Sequence, residues 1–326
     1  MAVKRKNNLA PNPWRDFICA FQLPLHSGGV LSPLSQFLWT CVPDEFKLDQ
    51  LLGAHPAAVH AKTWQGMWKA CYELLSAIET YENSALDTNA SGSRAGEDLA
   101  RATRIWLEQI ATHLEIIKKI HNSYLPREPE PKRPKRDIAK LVEPLWNPLS
   151  RCTGALKHSA AEILPLHYEA SKPGVVSGFY VATCSSLLTF GPHPHVHPNR
   201  GAWSYNRVIP VVACGIFWAE RLARASMLGT AEKLGAEPDH DGMQKVDTLT
   251  LQKILSRSKY VFSDERVLPF ARSRIRKDFV EFLVGATHLD KPLFPPEVRI
   301  KSFLSMTDAY RGYTFELPYW QEANQS

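Results

Sequence analysis

The stretch TWQGMWKACYELLSAIETYE, residues 63–82, carries the clearest secondary-structure signal in the chain. Its large apolar side chains recur at intervals of three and four residues, so on an α-helix they would form a single stripe. These side chains are Trp64, Met67, Trp68, Cys71, Leu74, Leu75, Ile78 and Tyr81. The spacing predicts a long amphipathic helix that packs against other helices.

A second stretch with the same spacing follows a polar loop of roughly ten residues. Across residues 94–124 the apolar positions again fall on one helical face and charged positions on the other. The apolar positions are Leu99, Trp106, Ile110, Leu114, Ile117, Ile120 and Tyr124. Two long helices joined by a short loop predict an antiparallel helical hairpin.

Further helices are predicted beyond a charged connector at residues 126–136, where four prolines in eleven residues oppose helix formation. They lie near 148–164 and over about 205–229, while the Val-, Phe- and Thr-rich stretch 171–190 predicts a short β-hairpin. We therefore expect a mainly α-helical protein, with a helical bundle at residues 63–229 built around the long antiparallel helical hairpin.

Two flanking segments complete the predicted organisation. Residues 1–62 have no sustained apolar period and are expected to be irregular. Residues 230–326 are expected to form a smaller helical C-terminal part. In it, Asp247 would cap a short helix, and a basic helix would begin at Pro269 and run through Val284.

Cysteine spacing and hydropathy bear on the compartment. Six cysteines are spread singly along the chain without a CxxC pair, which favours reduced thiols over disulfides or a thiolate zinc site. The basic N-terminus is not followed by an apolar core. The most apolar run, residues 208–219, is shorter than the roughly 20 residues that cross a bilayer. We expect a cytoplasmic protein without membrane contact.

Positive charge is concentrated in two places in a chain whose formal net charge is +6. One is the run KRPKR at residues 132–136, and the other is the segment 257–277, which holds seven Lys or Arg residues. Such clusters suit a polyanion, and RNA or another nucleic acid is the expected partner. Solvated basic faces on an ordinary enzyme or scaffold are the alternative. The expected contacts in the second cluster are Arg272, Arg274, Arg276 and Lys277.

The stretch GPHPHVHPNR, residues 191–200, places three histidines at alternating positions. In an extended strand His193, His195 and His197 would point to one side and could bind one zinc ion, as in a metal-dependent hydrolase. The interspersed prolines oppose pairing in a sheet, and no carboxylate lies within the stretch. A rigid loop without a cofactor is the favoured interpretation, and the zinc site is the alternative.

The stretch LSRCTGALKH, residues 149–158, holds the residues best suited to RNA chemistry. On a helix, Arg151 and His158 would lie two turns apart on nearly one face, about 10 Å apart along the axis. Lys157 would add a third positive group beside them. An arginine that binds phosphate and a histidine that moves a proton are sufficient to cut RNA through its 2′-OH without a metal ion.

An arginine separated by six residues from a histidine, on a helix that follows a long helical hairpin, resembles the HEPN superfamily of all-helical domains. Many members are ribonucleases of toxin–antitoxin, abortive-infection and RNA-guided defence systems, and two protomers usually face each other so that their Arg–His pairs share one cleft. The resemblance implies a metal-independent endoribonuclease of a prokaryotic defence or toxin system, acting as a homodimer. It implies that His158 transfers protons and that Arg151 binds phosphate.

The sequence departs from that family at two positions. Cys152 follows Arg151 where the family often has a polar residue, and Gly154 occupies the middle of the helix, where glycine is unfavourable. These departures keep open a second interpretation. In it, the chain binds nucleic acid without cutting it, as a non-enzymatic or scaffold subunit that works with a protein partner.

Further candidate RNA contacts follow the histidine stretch. Arg200 and Arg207 flank the aromatic residues Trp203 and Tyr205, a combination that can stack on bases and bind phosphate. Trp203 is also suited to anchor the start of the next helix in the core. Because the histidine loop lies between two helices of the predicted bundle, we expect it to overhang the cleft that contains Arg151.

Overall fold

The computed structural model contains both helices and strands. The residues that it describes are 14, 17–86, 92–124, 138–170, 174–184, 189–228, 244–257, 261–262, 265, 268–285, 298–302 and 314–315. The predicted connector at 126–136, with its KRPKR run, lies outside the described residues.

Six α-helices are present in these residues, four of them long. Their bounds are α1 Pro33–Leu38, α2 Pro56–Leu86, α3 Gly92–Ser123, α4 Ile138–His158, α5 Tyr205–Leu228 and α6 Thr248–Leu255. Helices α2 and α3 pack along each other as the predicted hairpin. The apolar stripe of residues 63–82 is buried, with Trp68 partly buried. The periodicity of that stretch therefore predicted its packing correctly.

Helix α4 continues through two prolines. Pro144 and Pro148 both lie inside it, so the helix begins ten residues before the predicted start near residue 148. The helix also ends at His158, earlier than the predicted end near residue 164. Ala160 adopts a left-handed conformation with φ 48°, which an α-helix cannot continue, and a strand begins two residues later.

One sheet has five antiparallel strands in the order β7-β2-β1-β9-β8. Their bounds are β1 Cys19–His26, β2 Gly29–Leu31, β7 Lys245–Asp247, β8 Phe270–Ile275 and β9 Phe279–Gly285. The sheet joins strands from the predicted irregular N-terminal segment with strands from the predicted helical C-terminal part. Strand β8 forms one of its edges.

The second sheet has the order β10-β3-β4-β5-β11, with β6 pairing to β4. Its strands are β3 Glu162–Ala170, β4 Gly174–Cys184, β5 Thr189–Pro192, β6 Trp203–Ser204, β10 Val298–Ser302 and β11 Thr314–Phe315. Strands β4 and β5 form a hairpin where the stretch 171–190 predicts one. The prediction of a mainly α-helical protein is nevertheless wrong, because two sheets make the fold a mixed one.

The N-terminal strand follows a two-residue period that the sequence reading missed. Cys19, Phe21 and Leu23 are buried in β1, whereas Ala20 and Gln22 are exposed. Alternation of this kind is typical of a strand with one face on the core. Here the alternation extends over too few residues to distinguish a strand from irregular chain.

The predicted basic helix from Pro269 to Val284 is a β-hairpin instead. Strands β8 and β9 pair in antiparallel register, with Ile275 opposite Val280. In β9 the residues Val280, Phe282 and Val284 are buried at every second position. This period of two, made by β-branched and aromatic side chains, favours a strand over the helix that the opening proline suggested.

Helix α5 lies at the centre of the molecule. It contacts α1, α3 and α4 as well as strands β1, β8 and β9, so it connects the helical hairpin to the five-stranded sheet. Its first thirteen residues, Tyr205 to Phe217, are all buried. A smaller apolar cluster that includes Leu166, Tyr180 and Phe262 lies against the six-stranded sheet. Within the described residues, no helix combines the length and apolar character needed to cross a membrane.

Candidate functional site

The predicted catalytic pair lies on the outer side of α4. Arg151 and His158 are both exposed, as is Lys157. The inner side of the same helix is apolar and buried, with Leu149 and Cys152 in the main core. The amphipathic helix therefore presents all three side chains to solvent. Arg151 and His158 lie two turns apart, as their spacing predicts.

The register of the six-stranded sheet relates the start of β3, which follows α4, to the start of the histidine turn. Glu162, the first residue of β3, pairs with Ala182, and Ala182 pairs with Pro192. Adjacent strands lie about 4.8 Å apart, so Glu162 and Pro192 are separated by roughly 10 Å. His158 precedes Glu162 by four residues, and His193 directly follows Pro192. The start of β3, four residues after His158, and the start of the histidine turn are therefore two strands apart in this sheet.

The histidine stretch forms a closed turn after β5. The backbone N–H of His193 donates to the carbonyl of Val181 at 2.8 Å, and the N–H of His197 donates to the carbonyl of His193 at 2.7 Å. His193 and His197 are buried, whereas His195 is exposed. Arg200, also exposed, follows with a left-handed φ of 54°. The predicted rigid loop is thus present, as a structured turn.

The zinc alternative for this turn required three nitrogens on one side. The Nε2 atom of His197 instead accepts a hydrogen bond from the backbone N–H of Val181 at 2.9 Å, and its ring lies 4.7 Å from that of Trp203. Burial lowers the pKa of His197 to about 3. The three histidines do not converge on one point. Among the described residues, the side chains that could share an ion lie elsewhere.

Four predicted nucleic-acid contacts form the exposed edge of the five-stranded sheet. Arg272 and Arg274 lie on the outward side of the edge strand β8, and Arg276 and Lys277 are exposed in the turn that follows. The Nε atom of Arg276 is 4.0 Å from a carboxylate oxygen of Glu281. We call these four cations the basic hairpin edge. The basic hairpin edge belongs to a different sheet from β5, which the histidine turn follows.

Arg207, another predicted phosphate contact, is fully buried. Its Nε donates to the carbonyl of Pro269 at 3.2 Å, and its Nη1 lies 3.8 Å from a carboxylate oxygen of Glu265. Its guanidinium is 5.9 Å from the ring centroid of Trp14. Arg207 therefore connects α5 to the segment before β8 and does not reach the surface.

The predicted base-stacking residues are also interior. Trp203 is buried, and its ring lies 4.8 Å from Trp14. Tyr205 is fully buried, and its hydroxyl is hydrogen-bonded to the hydroxyl of Thr103 at 2.6 Å. Both aromatic rings anchor the start of α5 in the core, the role that the sequence favours for Trp203.

Arg257, at the start of the second basic cluster, likewise serves the interior. Its Nε donates to Asn206 at 3.0 Å, and its Nη2 lies 3.3 Å from Glu82, which also accepts a hydrogen bond from Ser177. Burial raises the pKa of Glu82, and the charge of Arg257 opposes that shift. The ion pair joins α2 to the chain just beyond α6.

A buried polar cluster that the sequence reading missed lies between the long helices. His60 on α2, His113 on α3 and Glu220 on α5 have no exposed surface. Oε1 of Glu220 is 2.7 Å from Nε2 of His60 and 3.0 Å from Nε2 of His113. Its Oε2 accepts a hydrogen bond from Ser32, the N-cap residue of α1. The cluster therefore joins four helices.

Electrostatics in this cluster favour an ionised carboxylate. Burial alone would raise the pKa of Glu220, but the charge and hydrogen bonds of His60 and His113 lower it to about 2. Burial lowers the pKa of His113, while Glu220 opposes that shift. Two histidines and one carboxylate, with ligand atoms within 4.8 Å of one another, are a set that could hold a metal ion.

One signal in the sequence pointed to these residues. His113 lies three residues after Ile110 and one before Leu114, within the predicted apolar face of α3, and Glu220 follows the apolar run of α5. A polar side chain at a core position has to find a buried partner. The pairing itself, across 107 and 160 residues, has no local pattern.

Comparison of the chain with the known protein families, with curated proteins and with solved structures finds no match in any of the three. The HEPN resemblance accordingly stays a prediction.

Proposed function

We propose that the protein binds RNA at the exposed end of α4 and cleaves it there, with Arg151 binding phosphate and His158 transferring protons. One observation supports this above the rest. The sheet register sets the start of β3, four residues after His158, roughly 10 Å from the start of the turn that exposes His195 and Arg200. Exposed cationic and titratable side chains suit a negatively charged strand.

The exposed stripe of α4 lies on the side of the helix opposite the residues that pack in the core. Its inner side buries Leu149, Cys152 and Leu156, which supply the contact with the rest of the core. Arg151 and His158 remain at the surface with side chains suited to phosphate binding and proton transfer. Without a match to a known protein, this chemistry and the HEPN resemblance are what support a ribonuclease of a defence or toxin system.

The reaction needs two proton transfers. A neutral imidazole removes the proton of the 2′-OH, whose oxygen attacks phosphorus, and an imidazolium protonates the leaving 5′-oxygen. The products are a 2′,3′-cyclic phosphate and a 5′-hydroxyl. Arg151 stabilises the negative charge that accumulates on the phosphate oxygens in the transition state. Two chains facing each other, as the resemblance implies, would supply one His158 for each proton transfer.

The test is cleavage of end-labelled single-stranded RNA in buffer without added divalent ions, beside DNA of the same sequence, which lacks the 2′-OH. We expect cleavage of the RNA only. Replacing His158 by Gln should slow it by about 100-fold or more, since general acid–base catalysis contributes roughly 10²–10⁴-fold. Arg151→Gln should have a comparable effect. Equal rates for wild type and His158→Gln would refute the assignment.

A matched control is available on α3. Arg101 is exposed and paired with Asp98 at 2.6 Å, so Arg101→Gln removes a surface cation away from the catalytic stripe. It should cleave RNA like the wild type. A comparable loss in this variant would mean that total charge, rather than the position of Arg151, controls the reaction.

The second candidate function is nucleic-acid binding without cleavage, and the basic hairpin edge favours it. Four exposed cations along one edge strand and its turn can follow a phosphate backbone. Binding that depends on Arg272 and Arg274, with no cleavage product and no effect of His158→Gln, would support this function over the first.

A further inference from the structure

The buried cluster of His60, His113 and Glu220 takes no part in the proposed RNA chemistry. All three side chains, and Ser32 beside them, are fully buried, whereas the Arg–His stripe of α4 is exposed. An ionised group in the interior is expensive unless it is paired or bound to a metal. The cluster therefore contains either a carboxylate paired with protonated histidine nitrogens or a carboxylate and two histidines bound to a metal ion.

Hydrogen-bond geometry at His113 allows the proton of the neutral ring on either nitrogen, and the tautomer with the proton on Nδ1 is the one that can bind a metal ion through Nε2. The hydroxyl of Thr63 has one proton, and its oxygen lies 3.3 Å from the carbonyl of Val59, 3.1 Å from the carbonyl of His60 and 2.9 Å from Nδ1 of His113. A threonine inside a helix commonly donates to a carbonyl one turn earlier. Its oxygen then accepts from Nδ1–H, which leaves a neutral His113 with a lone pair on Nε2.

In that tautomer the lone pair faces the carboxylate, in place of the Nε2–H···Oε1 hydrogen bond that a proton on Nε2 would give. Nε2 of His113 is 3.0 Å from Oε1 of Glu220, and an ionised carboxylate has no proton to donate. The same oxygen is 2.7 Å from Nε2 of His60, and the other oxygen is engaged by Ser32. A cation between these atoms converts the contact from repulsion to attraction. The competing arrangements place a proton on Nε2 of His113, which then donates to Glu220, either in a neutral ring whose Nδ1 accepts from Thr63 or in a buried imidazolium–carboxylate pair.

We propose that His60, His113 and Glu220 bind one first-row transition-metal dication, with zinc as the representative ion. Zinc lies about 2.0–2.2 Å from nitrogen and oxygen ligands, which sets tetrahedral ligands about 3.3 Å apart. The observed separations of 2.7 and 3.0 Å reach that value with movements of less than about 0.7 Å. The hydroxyl of Ser32, 3.4 Å from Nε2 of His60, donates to Oε2 of Glu220 and so holds the carboxylate beside the ion.

The ligand set selects the class of ion. Two imidazoles and one carboxylate suit zinc and its neighbours in the first transition row, whereas Mg²⁺ and Ca²⁺ prefer oxygen ligands. Thr63 contacts the second nitrogen of His113, as side chains around metal-bound histidines commonly do to fix the ring. Full burial leaves no access for a substrate, so the ion ties α2, α3 and α5 to the start of α1.

The test uses tag-free wild-type protein, because an added histidine tag would itself bind metal. Protein from zinc-supplemented culture is gel-filtered, and its metal content is measured by elemental analysis. Metal-free protein is then titrated with Co²⁺, whose visible absorption reports the ligand geometry, while the melting temperature is followed. We expect one ion per chain, Co²⁺ bands that saturate at one equivalent, and a higher melting temperature with metal. Wild type with no bound ion, no Co²⁺ band and an unchanged melting temperature would overturn the proposal.

Variants locate the ion. His113→Gln and Glu220→Gln should lose the bound metal, whereas His195→Gln, which changes an exposed histidine outside the cluster, should retain one ion per chain. Retention of the metal by both cluster variants would overturn the assignment to this site. If a cluster variant does not fold, the Co²⁺ titration of the wild type decides, since it needs no substitution. RNA cleavage by zinc-free, folded protein tests the other proposal independently.

Discussion

The backbone N–H of Val181 in β4 donates a buried 2.9 Å hydrogen bond to Nε2 of His197, in the turn that carries the three histidines. The bond fixes the lone pair on Nε2, so the proton of the neutral ring is on Nδ1. Burial keeps the ring neutral, with a pKa of about 3. This hydrogen bond attaches the turn to β4, and it can form only while the ring of His197 is uncharged.

This relationship predicts a loss of stability in mild acid. An unfolded histidine has a pKa of about 6.5, so between that value and 3 the unfolded state binds a proton that the folded state does not. The contribution of His197 is complete above pH 6.5 and is lost as the pH falls. We expect about 2 kcal/mol less free energy of unfolding at pH 5 than at pH 7 from this group. Urea unfolding at both pH values measures it.

The control for this pH effect is His197→Gln, in which the amide oxygen can accept the same N–H without titrating. The variant should show a smaller difference between pH 7 and pH 5 than the wild type. An identical difference in both proteins would mean that His197 is not the group responsible.

Alanine substitution at two glycines should change the free energy of unfolding in opposite directions. A Cβ on Gly178 in β4 would overlap the carbonyl oxygen of Trp203 and the ring of Phe262, and a backbone oxygen held by the β6 pairing cannot move aside. We expect Gly178→Ala to lower the free energy of unfolding by about 3 kcal/mol. Gly154 in α4 has open space, so Gly154→Ala should raise it by about 0.5–1 kcal/mol. Chemical denaturation compares them, and a stabilised Gly178→Ala would contradict the β4–β6 contact.

The helical hairpin could be predicted because its signal is long and local. Trp64 and Tyr81 bracket a stripe that repeats over five turns, and the loop after it leaves few ways to pack. Strand β1 gives only Cys19, Phe21 and Leu23 as buried alternating positions, and its partner β9 lies more than 250 residues away. Short alternation and distant pairing leave little for a sequence window to detect.

The two candidate sites differ in the same respect: one follows from a local sequence pattern, and the other depends on contacts between distant residues. The exposure of Arg151 and His158 follows from the helical period of α4, which is a local property. The cluster around Glu220 depends on three helices meeting, so each polar residue in it looked like an exception within an apolar face. Arg207 was misassigned to RNA because the sequence does not reveal that Glu265 and Pro269 lie beside it.

Arg257 and Arg272, from one basic stretch of sequence, should differ in their effect on folding. Arg257 is 14% exposed and its loss leaves Glu82, itself 24% exposed, without its cation. Because the pair is partly solvated, we expect Arg257→Met to lower the free energy of unfolding by about 1–2 kcal/mol. Arg272→Met, at an exposed edge position, should change it by less than about 0.5 kcal/mol.

A double substitution separates the pair from other effects of Arg257. Glu82→Gln combined with Arg257→Met removes the carboxylate that would otherwise stay buried, so it should be less destabilised than the sum of the two single variants. Strict additivity in denaturant unfolding would show that the 3.3 Å contact contributes nothing to stability.

RNA affinity should depend on salt in a way that reports the basic hairpin edge. Each phosphate contact to a single strand adds about 0.7 to the slope of log K against log salt concentration. If Arg272 and Arg274 both contact phosphate, the variant with Gln at both positions should have a slope about 1.4 shallower than the wild type. Fluorescence anisotropy with labelled single-stranded RNA over a range of salt concentrations measures this slope.

Two control variants, Arg101→Gln and Arg257→Met, should leave the slope unchanged. Arg101 is paired with Asp98, and Arg257 contacts Glu82 and Asn206 within the protein. An unchanged slope in the double variant would place the RNA contacts elsewhere and leave the end of α4 as the binding surface to test.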